Sequence, residues 1–140
     1  MIIHRFKTEE NGVTAVEFAL VAPVFIVMLL GMMFYGMYFA AAHSVQELAA
    51  DAARASVAGL SNSERQQIVT DYVAGSSGNY LLLRQADVTA SGEPHAGDPL
   101  RFDVTVRVAA SNLPTGMLDM LFPVPSSTIA RTAVVRIGGF

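Results

Sequence analysis

Residues 18–42, FALVAPVFIVMLLGMMFYGMYFAAA, contain no charged side chain and decide the fold of this chain. At a rise of about 1.5 Å per residue, a helix of this length crosses the hydrocarbon core of a bilayer, which is about 30 Å thick. We therefore predict a membrane-spanning helix. A buried core helix is the alternative, but the rest of the 140-residue chain is too short to surround it and also bury a core of its own.

A cleavable secretory signal is a second alternative, because the alanine run 40–42 resembles a signal-peptidase site. The apolar region of such a signal has about 7–15 residues, and this one is much longer. We therefore expect a retained anchor, with cleavage after Ala42 as the competing interpretation.

The charges that flank the span are distributed unevenly. Arg5 and Lys7 precede it, whereas the first cation after it is Arg54. By the positive-inside rule, this bias predicts a cytoplasmic N-terminus and an extracytoplasmic chain from about residue 43 onward. We expect the membrane to be the bacterial inner membrane, which makes the C-terminal domain periplasmic.

The composition excludes several classes of function. A hydrophobic content of 52% is too high for an ordinary soluble domain of this size. Nine Lys and Arg residues within a net charge of -3 form no basic patch, so we expect no nucleic-acid partner. The chain has no cysteine, which excludes disulfides, thiolate metal sites and thiol nucleophiles.

Glu17 is a carboxylate at the cytoplasmic edge of the apolar run. An unpaired charge at membrane depth is unfavourable by up to about 3 kcal/mol and therefore calls for a partner. Cleavage between Gly12 and Val13 would create one, because the new α-amino group of Val13 is cationic at neutral pH. The amine could pair with Glu17 of its own chain or of a neighbouring subunit.

Three stretches carry a family resemblance: NGVTAVEFALVAPVF at 11–25, LLGMMFYG at 29–36 and ELAADAARASVAG at 47–59. Together they resemble the TadE-like pseudopilins, which are minor subunits of the Tad (tight adherence, Flp) pilus system. The resemblance implies processing by a prepilin peptidase after Gly12 and assembly with other pilin-like subunits and inner-membrane assembly proteins. It also implies that Glu17 is the hallmark glutamate, followed by apolar Phe18 and then Pro23.

The chain departs from the major pilin of that system at two points, of which the second indicates the subunit class. The major pilin usually has tyrosine where this chain has Phe18, and it resembles a bare helix, whereas here a long segment follows the helix. A minor pilin-like subunit fits better. The resemblance leaves open whether the chain is of the TadE or the TadF type and whether it lies at a filament tip, primes assembly or stays in the membrane.

Beyond the span, the helical period continues through Val45, Leu48, Ala52 and Ala55, and Gly59 is the expected stop. The sequence Ser61–Glu64 reads as a capping box for a second helix over about 62–74, ending at Gly75. We therefore predict one long helix, from about 14 to 58, followed by a short one.

The period then changes to two, which predicts strands. Val88 and Ala90 indicate a short first strand, residues 100–108 the clearest one, and residues 129–137 a third, with residues 93–99 as a hairpin connection. The predicted fold class is α+β: a long N-terminal transmembrane helix that extends into a small head, with a short helix and about three antiparallel strands.

The expected domains are a cytoplasmic leader at 1–12, a transmembrane helix at 13–42 and an extracytoplasmic domain at 43–140, which includes the helix extension 43–58. Residues 113–125 are unusually apolar for a segment outside the membrane. They either cover one end of the core or form a partner-docking surface. The candidates for such a surface are Met117, Leu118, Met120, Leu121 and Phe122.

Nothing in the sequence predicts catalysis. His4, His43 and His95 lie far apart with no partner at metal-ligand spacing, so we expect no metal, cofactor or small-molecule substrate. Glu93, His95 and Asp98 cluster in the predicted hairpin, where a solvated turn is the simpler interpretation. Two rivals stay open: an unprocessed membrane-anchored periplasmic scaffold, and a secreted domain that begins at His43.

Overall fold

The computed structural model describes residues 9–113 and 118–138, and side chains at 12–111, 113 and 120–138. Three α-helices, α1 to α3, and three β-strands, β1 to β3, make up the regular structure. In chain order they are α1 (Glu9–Ser56), α2 (Asn62–Ser76), β1 (Val88–Pro94), β2 (Arg101–Ala109), α3 (Leu118–Leu121) and β3 (Thr128–Arg136). Short 3₁₀ turns lie at Ser77–Asn79, Gln85–Asp87 and Ala110–Asn112. The predicted α+β fold class is confirmed.

Helix α1 has 48 residues and runs without interruption through Pro23. At about 1.5 Å per residue it is roughly 70 Å long. It is long and apolar enough to cross a membrane, as its sequence predicts. The head, which comprises the described residues after α1, contacts this helix from Gly31 onward.

Helix α2 begins at the predicted cap. The Ser61 side chain accepts a hydrogen bond from the Glu64 amide at 3.1 Å, and the Glu64 carboxylate accepts one from the Leu60 amide at 2.8 Å. The first bond satisfies one of the amides that the first turn of a helix leaves without partners, and the second binds Leu60, the residue before the cap, to that turn. The helix extends to Ser76, slightly beyond the predicted end at Gly75.

The three strands form an antiparallel sheet in the order β1-β2-β3. One face of the central strand, β2, is buried. Side chains alternate between the two faces of a strand, and this face carries Phe102, Val104, Val106 and Val108. This face packs against α1, and α2 covers β1. Val45, Leu48 and Ala52 supply the helix side of the core, with Val69 and Val73 from α2.

Several details differ from the sequence-based expectations. Leu100 is 42% exposed and precedes β2, so it does not belong to the buried face. Strand β1 continues to Pro94, which shortens the hairpin connection to residues 95–100. Helix α1 ends at Ser56, before Gly59, and a Cβ on Gly59 would lie 2.7 Å from the Arg65 Cγ atom. Gly59 therefore permits close approach to α2, whereas the expectation was a helix stop.

Candidate functional site

The N-terminal half of α1 is an exposed apolar surface. From Gly12 to Met33 every residue is exposed except Ala22, Leu30 and Gly31, which are half-covered. Phe18, one of the predicted site residues, is 72% exposed. An uncovered surface of this size is unfavourable in water, so this part of the helix requires lipid or other apolar helices around it.

Glu17 lies on this surface, and it is the only charged residue between Val13 and Ala42. Within the described ranges 9–113 and 118–138, no ion pair involves its carboxylate. Glu17 follows Val13 by four residues, so both lie on one face of the helix, a single turn apart. An amine created at Val13 would be within reach of this carboxylate.

The bond between Gly12 and Val13 lies in the first turns of α1. Val13 is 59% exposed, and a Cβ on Gly12 would have no heavy atom within 4 Å, so the bond is open to a large partner. Glycine disfavours helix by about 1 kcal/mol relative to alanine. Gly12 therefore makes local unwinding at this bond easier than an alanine would.

Pro23 interrupts the hydrogen-bond ladder of α1 without ending the helix. Proline has no amide hydrogen, so the carbonyl of Ala19 loses its usual partner four residues on. In a bilayer such a carbonyl gains from a donor on a neighbouring helix. Pro23 and Glu17 thus both place polar groups that call for a partner on this apolar surface.

Residues 118–123, which we call the foot, fix the head to α1 at the point where the exposed surface ends. The Phe122 ring stacks on Phe34 at 5.7 Å and meets Tyr35 edge-on at 6.5 Å. The Tyr35 hydroxyl donates to the Pro123 carbonyl at 3.1 Å. A Cβ on Gly31 would lie 3.0 Å from the Phe122 ring, so a glycine is what lets the ring approach.

The predicted partner surface in this segment is divided by the structure. Phe122 packs on α1, whereas Met120 and Leu121 are 88% and 60% exposed. Leu118 begins the short helix α3, and Met117 lies outside the described residues. Both predicted alternatives are thus present on adjacent residues: Phe122 packs on the protein, and Met120 and Leu121 form an exposed apolar surface.

The polar residues of the β1–β2 hairpin are paired with one another. His95 Nδ1 lies 2.9 Å from both carboxylate oxygens of Asp103, and Asp98 pairs with Arg101 at 3.1 Å. In the described part of the chain, no group of three acidic or histidine residues could hold a metal ion. His95 and Asp98 thus have partners close to them in the hairpin, and these contacts account for both residues without a ligand.

An open groove of about 470 Å³ lies beside α1, lined by Glu47, Asp51, Arg54 and Tyr80 among others. The Tyr80 hydroxyl donates to Asp51 at 2.6 Å, and Arg54 pairs with the same carboxylate at 3.0 Å. Burial raises the pKa of Tyr80 above its usual range, and the hydrogen bond to Asp51 raises it further. This network joins the connection after α2 to α1.

Sequence reasoning missed the contact of Gly31, Phe34 and Tyr35 with the foot. Phe34 and Tyr38 are 0% and 6% exposed, so they belong to the buried stripe of α1. In a run that is apolar on every face, no periodicity separates a head-facing residue from a lipid-facing one. A cluster of aromatic residues at 34–39 is the signal that the sequence offers, because aromatic side chains often mark the membrane boundary.

Comparison with known proteins supports the resemblance in the N-terminal part. Residues 12–54 match the family model described as TadE-like protein. The match contains Gly12, Glu17, Phe18 and Pro23, and it confirms the predicted resemblance of α1 to TadE-like proteins. It ends at Arg54, before the head. No curated protein and no solved structure matches.

Proposed function

We propose that this TadE-like chain is a minor pilin-like subunit of a Tad-type pilus assembly or secretion apparatus, cut after Gly12 and assembled through α1. The observation that carries the proposal is the exposed apolar stretch 13–33 of α1, in which Glu17 is the sole charged residue. A helix surface of this kind must be covered by lipid or by other apolar helices. The carboxylate of Glu17 favours an arrangement that places a cation beside it. In this role the chain is an assembly subunit, with no catalysis and no cofactor.

The proposed orientation has the leader 1–12 in the cytoplasm, the span in the inner membrane and the head in the periplasm. Arg5 and Lys7 favour this orientation, because cations beside a span tend to stay on the cytoplasmic side. The expected span runs from residue 13 to residue 42. Because the head contacts one face of α1 from Gly31 onward, we place the fully lipid-covered part at 13–30.

Cleavage after Gly12 gives Glu17 its partner. The α-amino group of Val13 is cationic at neutral pH and lies on the same face of the helix, one turn from the carboxylate. Either that amine or the amine of an adjacent subunit can neutralise Glu17. An intersubunit pair would set the axial register of neighbouring helices, because two like helices then meet at one defined height.

The test replaces Glu17 by glutamine, which keeps the shape and removes the charge. Breaking a charge pair at this depth is unfavourable by a few kcal/mol, so Glu17→Gln should be inserted and cut normally but incorporated at least about tenfold less. Incorporation is measured by crosslinking to neighbouring subunits and by pilus output. Glu47→Gln is the matched control, because Glu47 lies on α1 with its side chain 56% exposed and pairs locally with His43.

Unaltered crosslinking and pilus output in Glu17→Gln would contradict the proposed pairing. A loss of equal size in Glu47→Gln would show that any change of charge on α1 is harmful, and it too would contradict a specific role of Glu17. Both variants are compared at equal amounts in the membrane fraction, so that insertion and assembly are separated.

The two rivals are separated by one measurement on protein from its native host. Intact-mass analysis should give an N-terminus at Val13 for the processed subunit. Met1 would instead indicate an unprocessed anchored scaffold, and His43 a secreted domain. The exposed Met120 and Leu121 are the feature that favours a scaffold, because they offer an apolar contact outside the helix.

A further inference from the structure

The foot is held at a defined height along α1. Stacking of Phe122 on Phe34, its close approach to Gly31 and the hydrogen bond from Tyr35 to Pro123 all fix it on one helix turn. From Val13 to Gly31 the helix advances about 27 Å at about 1.5 Å per residue. The hydrocarbon core of a bilayer is about 30 Å thick, so the foot lies at its outer boundary when Val13 lies at the inner one.

Two large apolar side chains project from the foot at this height. Met120 is 88% exposed and Leu121 is 60% exposed, while the next residue, Phe122, packs on the helix. Phe122 contacts Gly31, and the two residues that follow Gly31 on α1, Met32 and Met33, are 65% and 51% exposed. The exposed apolar surface of α1 therefore extends from the helix onto the foot.

We propose that Met120 and Leu121 insert into the outer boundary of the lipid bilayer, so that the head rests on the membrane as well as on α1. This inference rests on the proposed membrane span of α1 and goes beyond it by assigning a lipid-binding site to the head. The occupant is lipid, because the foot shares its height and its apolar surface with the spanning helix. Tyr35, which donates a hydrogen bond to Pro123 of the foot, is of a residue type that membrane boundaries favour.

A head with two attachments to the membrane has a fixed tilt. The helix alone leaves the head to follow any tilt of the span, whereas a side chain inserted beside it resists tilting toward the opposite side. The sheet and hairpin are then presented to other subunits in one orientation. Withdrawal of the subunit from the bilayer also exposes Met120 and Leu121 to water or to a new apolar partner.

The chain contains no tryptophan, so single tryptophans can report the environment of chosen sites. The full chain is placed, one copy per nanodisc, in phosphatidylcholine with or without bromine on the acyl chains. M120W and L121W test the foot. I26W, in the middle of the span, and L60W, at an exposed leucine that is 90% accessible beyond the C-terminal end of α1, are the controls.

An interfacial side chain sits about 5–10 Å into the headgroup and acyl boundary, so we expect brominated chains to lower M120W and L121W emission about twofold. Emission should also shift to the blue relative to L60W, which should be unaffected by bromine. I26W should be quenched at least as strongly as the foot variants. Both foot positions are exposed, so these substitutions leave the core packing in place.

Quenching of I26W with M120W and L121W behaving like L60W would overturn the inference and leave the membrane span intact. Absence of quenching in I26W would overturn the span itself, and with it both the proposed function and the inference. A blue shift of M120W that appears only with two copies per nanodisc would assign the surface to a second subunit, which also overturns a lipid site.

Discussion

Removal of the Phe122 ring should release the foot from α1. Replacing a fully buried phenylalanine by alanine is destabilising by about 3–5 kcal/mol, and aromatic pairs contribute about 0.5–1.5 kcal/mol within such contacts. Phe122 is only half-buried, so we expect Phe122→Ala to weaken the local contact by about 2 kcal/mol. At about 1.4 kcal/mol per factor of ten, this raises the open fraction of the foot roughly 30-fold.

Hydrogen exchange measures this opening directly, because amide exchange follows the population of locally open states. In full-length protein in nanodiscs, amides of residues 118–128 should exchange roughly 30-fold faster in Phe122→Ala, and those of β2 should keep their rates. Phe39→Ala is the matched control: it removes the same atoms from α1, at a site that is 63% exposed. Unchanged exchange at 118–128, or an equal increase in Phe39→Ala, would refute this account of the foot.

The same contact can be disturbed from the helix side. A Cβ on Gly31 would lie 3.0 Å from the ring of Phe122, whereas one on Gly36 would have no heavy atom within 4 Å. Gly31→Leu should therefore accelerate exchange in the foot, and Gly36→Leu should leave it unchanged. Equal effects of the two variants would mean that the ring does not depend on the space at Gly31.

The remaining predictions concern the stability of the head. Phe102→Ala should lower the free energy of unfolding in urea by about 3–5 kcal/mol, because its side chain is fully buried, whereas Leu100→Ala, at a 42% exposed site, should change it by less than about 1 kcal/mol. The pKa of Tyr80 is raised by burial and by Asp51, so its contribution is present below the ordinary pKa of about 10 and is lost as the pH rises through the higher folded-state value. Urea midpoints measured across that range should fall less steeply in Tyr80→Phe than in the parent chain, and equal slopes would contradict the assignment.

Much of the fold could be predicted because its patterns are local. The alternation of apolar and polar residues from Phe102 to Val108 is a direct consequence of strand geometry, and it survives in the structure. Ser61 and Glu64 are similarly local, since a helix cap depends on atoms three residues apart. The length of α1 was predicted from the uncharged run 18–42 together with the helical period from Val45 to Ala55.

The contact between α1 and the foot could not be predicted, because it joins segments far apart in the chain. Phe34 and Met33 are both apolar, yet one is fully buried and the other 51% exposed. Hydrophobicity alone cannot distinguish a face that meets protein from a face that meets lipid. The prediction for Leu100 was wrong for a different reason. Leu100 fits the alternation of apolar and polar residues in β2, but it lies outside the strand.

The candidate assembly site was predictable for a different reason. Glu17 stands out because a charge within an apolar run is unfavourable unless it is paired. The proposed partner is created only by cleavage at Gly12, so the fold of the intact chain does not contain it. The carboxylate could thus be identified from the sequence, whereas its pairing stays a prediction for the variants above.

The unbroken course of α1 ties the direction of the head to the direction of Glu17. Each residue of an α-helix turns the chain by about 100° and advances it about 1.5 Å, and no linker between the two allows independent rotation. A twist imposed on the N-terminal end of α1 would therefore be transmitted to the sheet some 50 Å away. Adding one residue to the span would point the same sheet toward a different neighbour.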